Sequence, residues 1–235
     1  MAIIYAGDLH GRVDDLSKII DFAESEKITA IVQVGDFGFG FPDDGYYDFF
    51  EKRARQKKWT VPIYTCFGNH DNWDRIYTMM EQQGNPEKVE IYPDAGLYFV
   101  PRGNVLEIDG VTHLFMGGAE STDRYRRKEG KTWWAREEPN WKDFEKFHRA
   151  LEEQKPDTVV AHEAPLRVEL YRVRRNQSYT PKMLERVLSM SEYQPKRYRF
   201  GHHHVLEKKK KKKTKYYGCG LHGQYWLYEK EVEES

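Results

Sequence analysis

The chain has 235 residues, its 38 Lys plus Arg are balanced by 38 Asp plus Glu, and 39% of its residues are hydrophobic. A chain of this length buries roughly 70% of the surface it would expose unfolded, so it builds a core without disulfides or a structural metal. Zero formal charge excludes a protein that coats nucleic acid over its whole surface. Nothing near the N-terminus reads as a signal peptide, and no run approaches the ~18 apolar residues of a membrane span. Cys66 and Cys219 are far apart and form neither a zinc-type pair nor a disulfide framework, which suits a reducing cytosol. The expectation is a single cytoplasmic domain over residues 1–235.

Short β-branched or aromatic runs at Ile3-Ile4-Tyr5-Ala6, Ala30 to Val34 and Pro62 to Phe67 read as buried strands. Between them, residues 12 to 24 place Val13, Leu16, Ile19, Ile20 and Ala23 on one helical face, and residues 45 to 58 form a second helix. Asp109-Gly110, between Val105 to Ile108 and Val111 to Met116, is a hairpin signal. Residues 119 to 140 carry many charges and no period, so they read as a long loop, and long loops in compact domains are usually functional. Trp133 and Trp134 read as its hydrophobic anchor rather than as a stacking platform. A helix over about 141 to 154 leads to the strand Thr158 to Ala161. Thr180-Pro181 opens another helix as N-cap and N1, and strands follow at 198–200, 216–219 and 224–228. Strand and helix alternating, with an antiparallel element added, is an α/β layer fold.

The strands end in polar clusters of related composition: Gly7-Asp8-Leu9-His10-Gly11, Gly35-Asp36, Gly68-Asn69-His70-Asp71, Ala161-His162-Glu163 and Gly201-His202-His203-His204. Strand ends of α/β sheets are where side chains converge on ligands. Asp8 and His10, like His202 and His204, are two apart and point the same way on extended backbone. The donors Asp8, His10, Asp36, Asn69, His162, His202 and His204 mix carboxylate, imidazole and amide oxygen, which suits Mn, Fe, Zn, Co or Ni better than Ca or Mg. Seven ligands exceed what one ion with open positions uses, so two metals sharing a carboxylate is the economical reading.

The order Asp-x-His, Gly-Asp, Gly-Asn-His-Asp, His and Gly-His-x-His, running from residue 7 to residue 204, resembles the calcineurin-like metallophosphoesterase superfamily. The segment from Gly117-Gly118-Ala119 through Trp133-Trp134 to Glu138-Pro139 is similar to small bacterial and phage members. The resemblance implies two mixed β-sheets packed as a sandwich flanked by helices. It implies Asp8, His10, Asp36 and His204 on one metal, and Asp36, Asn69, His162 and His202 on the other, with Mn placed ahead of Fe, Ni, Zn and Co. The expected reaction is hydrolysis of phosphate mono- or diesters by a metal-bridging hydroxide. Asn69 is expected to help hold the phosphoryl oxygens, His70 as an imidazolium to stabilise developing charge or protonate the leaving oxygen, and Asp71 to fix the tautomer of His70. The helix that follows Gly11 is expected to add N–H groups facing the anion.

His203, His113, His148 and His222 read as structural. Lys208 to Lys213, with Lys215, make a basic hairpin tip at 206–215 next to the second metal pair, whose reading as a solvated tip competes with one in which it draws in nucleic acid. Arg167, Arg172, Arg174 and Arg175 add weakly to the second reading. Protein Ser/Thr phosphatases share GDLHG but continue their second block with Asp-Arg-Gly and place Arg before Asn-His. Here Phe-Gly-Phe-Gly follows Asp36 and Phe67-Gly68 precedes Asn69, so the arginine clamp is missing from both blocks. A double-strand-break nuclease of the superfamily normally has further domains that 235 residues do not hold. The partner expected is a phosphate-ester substrate, nucleotide or nucleic acid included, with no membrane and no obligate protein partner. The alternatives are a nuclease or phosphatase guided by the lysines, and a non-catalytic metal-binding interaction module.

Overall fold

Strands that are apolar on both faces need cover on both, and the computed structural model supplies it by stacking two six-stranded sheets with helices outside. It describes residues 2–41, 46–55, 61–92, 95–170 and 178–229. The first sheet has the order β12-β1-β2-β3-β5-β4, with β1 (Ala2–Ala6), β2 (Ala30–Gln33), β3 (Ile63–Thr65) and β5 (Leu97–Phe99) parallel, and β4 (Val89–Tyr92) and β12 (Tyr225–Glu229) antiparallel at its edges. The second has the order β10-β11-β9-β8-β7-β6, in which β7 (Val111–Met116), β8 (Thr158–Ala161), β9 (Arg197–Phe200) and β11 (Thr214–Cys219) are parallel. Its antiparallel edges are β6 (Val105–Ile108) and β10 (Leu206–Lys211).

Helix α1 (Val13–Ser25), with α2 (Tyr46–Arg55) and α3 (Trp73–Gln82), covers the first sheet, and Leu16, Ile19, Ile20 and Trp73 pack there with Ile4 and Ala6. Helices α4 (Trp141–Gln154) and α5 (Tyr179–Met190) cover the second through Phe144, Phe147, Leu184 and Leu188. Ile3, Tyr5, Val32, Val34, Phe115 and Val160 fill the space between the sheets. The strand run Ile3 to Ala6 thus divides by alternation: odd positions face the other sheet and even positions face helices.

The expected α/β sandwich is present, and several local expectations are refined. Asp109-Gly110 turns β6 into β7 with φ of 52° and 71°, the left-handed pair that a two-residue hairpin requires. Helix α3 and strands β4 and β5 were not expected, because WDRIYTMMEQ mixes polar and apolar residues and the strands have only four and three residues. Ser178 replaces Thr180 as the residue preceding α5, and the Thr180 hydroxyl instead donates to Glu138 Oε2 at 3.1 Å. The lysine hairpin is regular: Lys208 to Lys211 pair with Tyr217 to Thr214, so the tip is only Lys212-Lys213. Arg172, Arg174 and Arg175, and residues 45 and 56–58 of the second expected helix, lie outside the described residues.

Candidate metal centre

The parallel strands of both sheets end at the same rim of the sandwich, and the five polar clusters follow β1, β2, β3, β8 and β9 there. Their loops are bonded to each other. Backbone N–H groups of Leu9 and His10 donate to the Asp36 carbonyl at 3.0 and 2.9 Å, and that of Gly11 donates to Phe37. Buried Gln33 bonds Gly7, Gly35 and Thr65 at once, tying the ends of β1, β2 and β3 together.

Asp71 completes this frame, and its role differs from the expected one. Its two oxygens accept from the backbone N–H groups of Phe37, Gly38, Phe39 and Gly68 at 2.7 to 3.2 Å. Those four bonds use the lone-pair positions of the carboxylate, so Asp71 holds two loops and does not set the tautomer of His70.

Among the described residues, three groups of donor atoms lie within 4.8 Å of one another: Asp8, His10 and His204; His10, Asp36 and His70; and Asp36, His162 and His202. Asp36 stands between them. Its Oδ2 faces His10 Nε2 at 3.7 Å, and its Oδ1 faces His162 Nε2 at 3.2 Å while accepting the His70 backbone N–H at 2.7 Å. On the first side His204 Nε2 is 3.3 Å from Asp8 Oδ2 and 3.2 Å from His10 Nε2. On the second, Asn69 Oδ1 is 3.2 Å from His162 Nε2. All seven expected ligands therefore gather around one carboxylate.

The polar atoms present fit divalent cations. Both carboxylate oxygens of fully buried Asp8 lack a well-aligned hydrogen bond, which is costly unless a cation faces them. His162 Nδ1 donates to the Val34 carbonyl at 2.9 Å, so in the neutral ring the Nε2 lone pair points at Asn69 Oδ1 and Asp36, a meeting of acceptors that a shared cation resolves. Without a metal a proton does this work. Burial alone would lower the pKa of His162, but the Asp36 carboxylate overrides it and pushes it up to about 10. Burial alone would likewise raise Asp36, but the same His162 imidazolium holds it well below the usual carboxylate range. At Asp8 burial prevails and raises the carboxyl.

The backbone is bent to this purpose. His10, Asp36, His202 and His204 have φ of 49°, 52°, 62° and 53°, left-handed values that cost a non-glycine residue of the order of 1–3 kcal/mol in strained sites. A Cβ at Gly68 would stand 2.2 Å from Asp36 Oδ1 and 2.6 Å from His162 Nε2, so glycine is required for the block to approach the centre.

Several contributors escape sequence reading. Glu163 accepts from His203 Nε2 at 2.6 Å and lies 3.7 Å from His202 Nε2, so it braces this histidine block, and His203 is structural as expected. Asn69 Nδ2 donates to Ser121 Oγ at 3.2 Å, and Ser121 donates through Oγ and backbone N–H to buried Glu137 at 2.8 and 2.6 Å. Arg102, buried over the Trp73 ring, binds the carbonyls of Gly117, Arg136 and Glu137 and so clamps both ends of the long loop. Trp134 is the expected anchor, buried edge-on against Phe41. From the same loop Arg127 donates to His70 Nε2 at 2.7 Å. A guanidinium only donates, so His70 Nε2 is the acceptor in this contact and not the N–H of the expected imidazolium; burial, with Arg127 acting in the same direction, lowers the pKa of the ring. The loop has no helical or strand period, so only its length and charge pointed to function.

Two other expectations change. The first turn of α1 carries Asp14 and Asp15, and Arg12 turns to Asp15 at 2.5 Å, so this helix start offers an anion negative side chains. The lysines of β10 run away from the centre: Lys210 pairs with Lys215, which pairs with Arg197 at the start of β9, whereas His202 follows its end.

The model of the calcineurin-like phosphoesterase family matches residues 1–206. The chain belongs to that family. Calcineurin-like phosphoesterases are metal-dependent phosphoester hydrolases, and the clusters above are where such a member would hold divalent ions. No curated protein matches. Among solved structures, TT1561 of Thermus thermophilus is 15% identical, with a TM-score of 0.57 over 94% of this chain and 89% of its own. GAP50 of Plasmodium, described as the anchor in the inner membrane complex, is 15% identical with a TM-score of 0.53, covering 93% of this chain and 71% of its own. These likenesses are of fold, so the chemistry has to be argued from the site. No helix among the described residues is long and apolar enough to cross a membrane.

Proposed function

We propose that the protein hydrolyses phosphate mono- or diesters with two divalent ions that share Asp36. The supporting observation is that the two oxygens of Asp36 face opposite groups, Oδ2 toward His10 and Oδ1 toward His162. Asp8, His10, Asp36 and His204 would hold one ion, and Asp36, Asn69, His162 and His202 the other. Their mixed oxygen and nitrogen donors favour Mn, with Fe, Ni, Zn and Co as competitors. When bound, such a pair supplies Lewis acidity and an acidified water as nucleophile.

The chain's own residues do the rest. Asp71 and Gln33 keep the loops fixed, so the donors meet substrate without reorganising. Asn69 gives one amide N–H to Ser121, which leaves its second for a phosphoryl oxygen. His70, with its backbone N–H on Asp36 and its ring stacked on Phe41, is held at the mouth of the centre to steer the ester's leaving oxygen. The lysine strand supports a nucleic-acid substrate poorly, since it leads away from these groups.

Turnover of an aryl phosphate by metal-stripped protein reloaded with Mn, Ni, Zn or Mg tests this reading. Activity is expected to return with metal and to vanish in Asp36→Asn. Two tightly bound ions without turnover of any ester would move the assignment to a metal-binding interaction module.

A further inference from the structure

Both sequence blocks that carry a phosphate-binding arginine in the phosphoprotein branch lack one here, yet the fold brings a guanidinium to the same centre from elsewhere. Arg127 lies in the loop between β7 and α4, some 57 residues beyond His70 in sequence, and its side chain is only 10% exposed. Its Nε binds Asp123 at 2.8 Å, one terminal nitrogen reaches the Thr132 carbonyl at 3.4 Å, and the other donates to His70 Nε2 at 2.7 Å. A guanidinium has five N–H donors, and these contacts use three. His70 in turn shares a 4.8 Å cluster with His10 and Asp36. A positive charge with two further N–H groups therefore stands beside the donors that gather the ions.

The arrangement is fixed before any substrate arrives. The loop is tied at its start by Gly118 N–H on the Phe67 carbonyl at 2.7 Å, and at its end by Arg102 on the Glu137 carbonyl at 2.7 Å. Buried Trp134 anchors it from below. The carboxylate paired with Arg127, Asp123, is half exposed, so the charge of Arg127 is oriented without being cancelled in a buried pair.

We propose that Arg127 is a specificity-determining residue that binds the phosphoryl group and selects phosphomonoesters over diesters. This rests on the phosphoesterase reading above and names its substrate class. A monoester presents three peripheral oxygens and up to two negative charges, whereas a diester presents two and one. A fixed guanidinium charge with N–H groups still to give rewards the extra oxygen and charge. Esterifying that oxygen removes the charge and places an alkyl or aryl group, which accepts no hydrogen bond, against the Arg127 guanidinium.

The test uses the metal-loaded protein with an aryl monoester and a methyl aryl diester that share one leaving group, comparing Arg127→Met and Arg127→Lys. Loss of a charge-assisted contact predicts a fall of about 10- to 100-fold in kcat/KM for the monoester. The fall for the diester should be at least about tenfold smaller, and lysine should restore part of it. Inorganic phosphate should inhibit Arg127→Met correspondingly less. Equal losses on both esters, or none on the monoester, would overturn the proposal. If the unsubstituted protein hydrolyses neither ester with any metal, the phosphoesterase reading itself has failed. Calorimetric binding of inorganic phosphate to metal-loaded wild type and Arg127→Met then still decides whether the arginine holds the anion.

Discussion

One half of the centre is sealed and the other is open. His162 is fully buried and Asn69 is 3% exposed, whereas the His10 and His204 side chains are 22% and 43% exposed. The sealed half also has an orienting partner for each donor: the Val34 carbonyl for His162, Ser121 for Asn69 and Glu163 beside His202. In the open half the donors face mainly one another. Side chains locked by outer partners hold a metal in one geometry, so the sealed half should bind the more tightly retained ion and the open half the more exchangeable one.

Asp36 belongs to both halves, and its loss should have the largest effect. Asp36→Asn is expected to lower metal content below two ions per chain and to reduce turnover more than about a hundredfold, beyond what outer partners cause. Metal analysis beside ester hydrolysis checks both. Full metal content in this variant would break the shared-carboxylate arrangement.

The halves should separate in stability. His162→Ala leaves the buried charge of Asp36 unpaired and is expected to cost the metal-free protein roughly 3–5 kcal/mol. His204→Ala removes a half-exposed contact and should cost less than about 1 kcal/mol. Denaturant unfolding measures the difference, and equal costs would mean that the contrast in burial has no energetic content.

Acid sensitivity offers a control outside the centre. Between the sheets His113 takes the Tyr5 hydroxyl at Nε2, 2.6 Å away, and the Val111 carbonyl at Nδ1, 2.8 Å away, and burial pushes its pKa down to about 4. An unfolded histidine titrates near 6.5. As pH falls from 6.5 toward 4 the unfolded chain takes up a proton that the folded one refuses. Stability is therefore full above about pH 6.5, falls by about 3 kcal/mol and levels below about pH 4. Unfolding of metal-free protein at about pH 7 and about pH 4.5, compared with His113→Gln, should show this slope shrink. An unchanged slope would assign the acid loss to the centre.

Smaller effects should confine themselves to one half. Ser121→Ala and Glu137→Gln release the Asn69 amide, and each is expected to weaken the sealed half's ion about 10- to 100-fold while sparing the open half. Metal titration calorimetry resolves the two.

That the seven candidate ligands would meet could be read from the chain because each sits within a few residues of a strand end, where local pattern and local structure coincide. What orients them could not. Ser121, Glu137, Arg102 and Arg127 act across 15 to 57 residues of sequence, and no period in the loop marks which of its charges turn inward. Asp71 shows the converse error. Its place beside His70 suggested a shared role, yet the turn of the backbone aims its carboxylate at four N–H groups instead. Adjacency in sequence predicted the cluster and mispredicted the direction of one side chain.

The lysines repeat that lesson at the smallest scale. Read as a run they suggest an anion-binding tip, but in β10 they alternate, with Lys209 and Lys211 turned toward Glu169 and Lys208 set over the Tyr217 ring. β10 is an edge strand, and charged side chains there block pairing with another chain's edge. Replacing Lys208 and Lys210 by Ser should leave small-ester turnover unchanged and polynucleotide turnover within about twofold, since a strand rising about 3.4 Å per residue carries these two lysines roughly 14 and 20 Å beyond His204. Replacing both by Val should instead produce concentration-dependent association by sedimentation. A polynucleotide activity that collapses in the serine variant would give the lysines back to substrate binding.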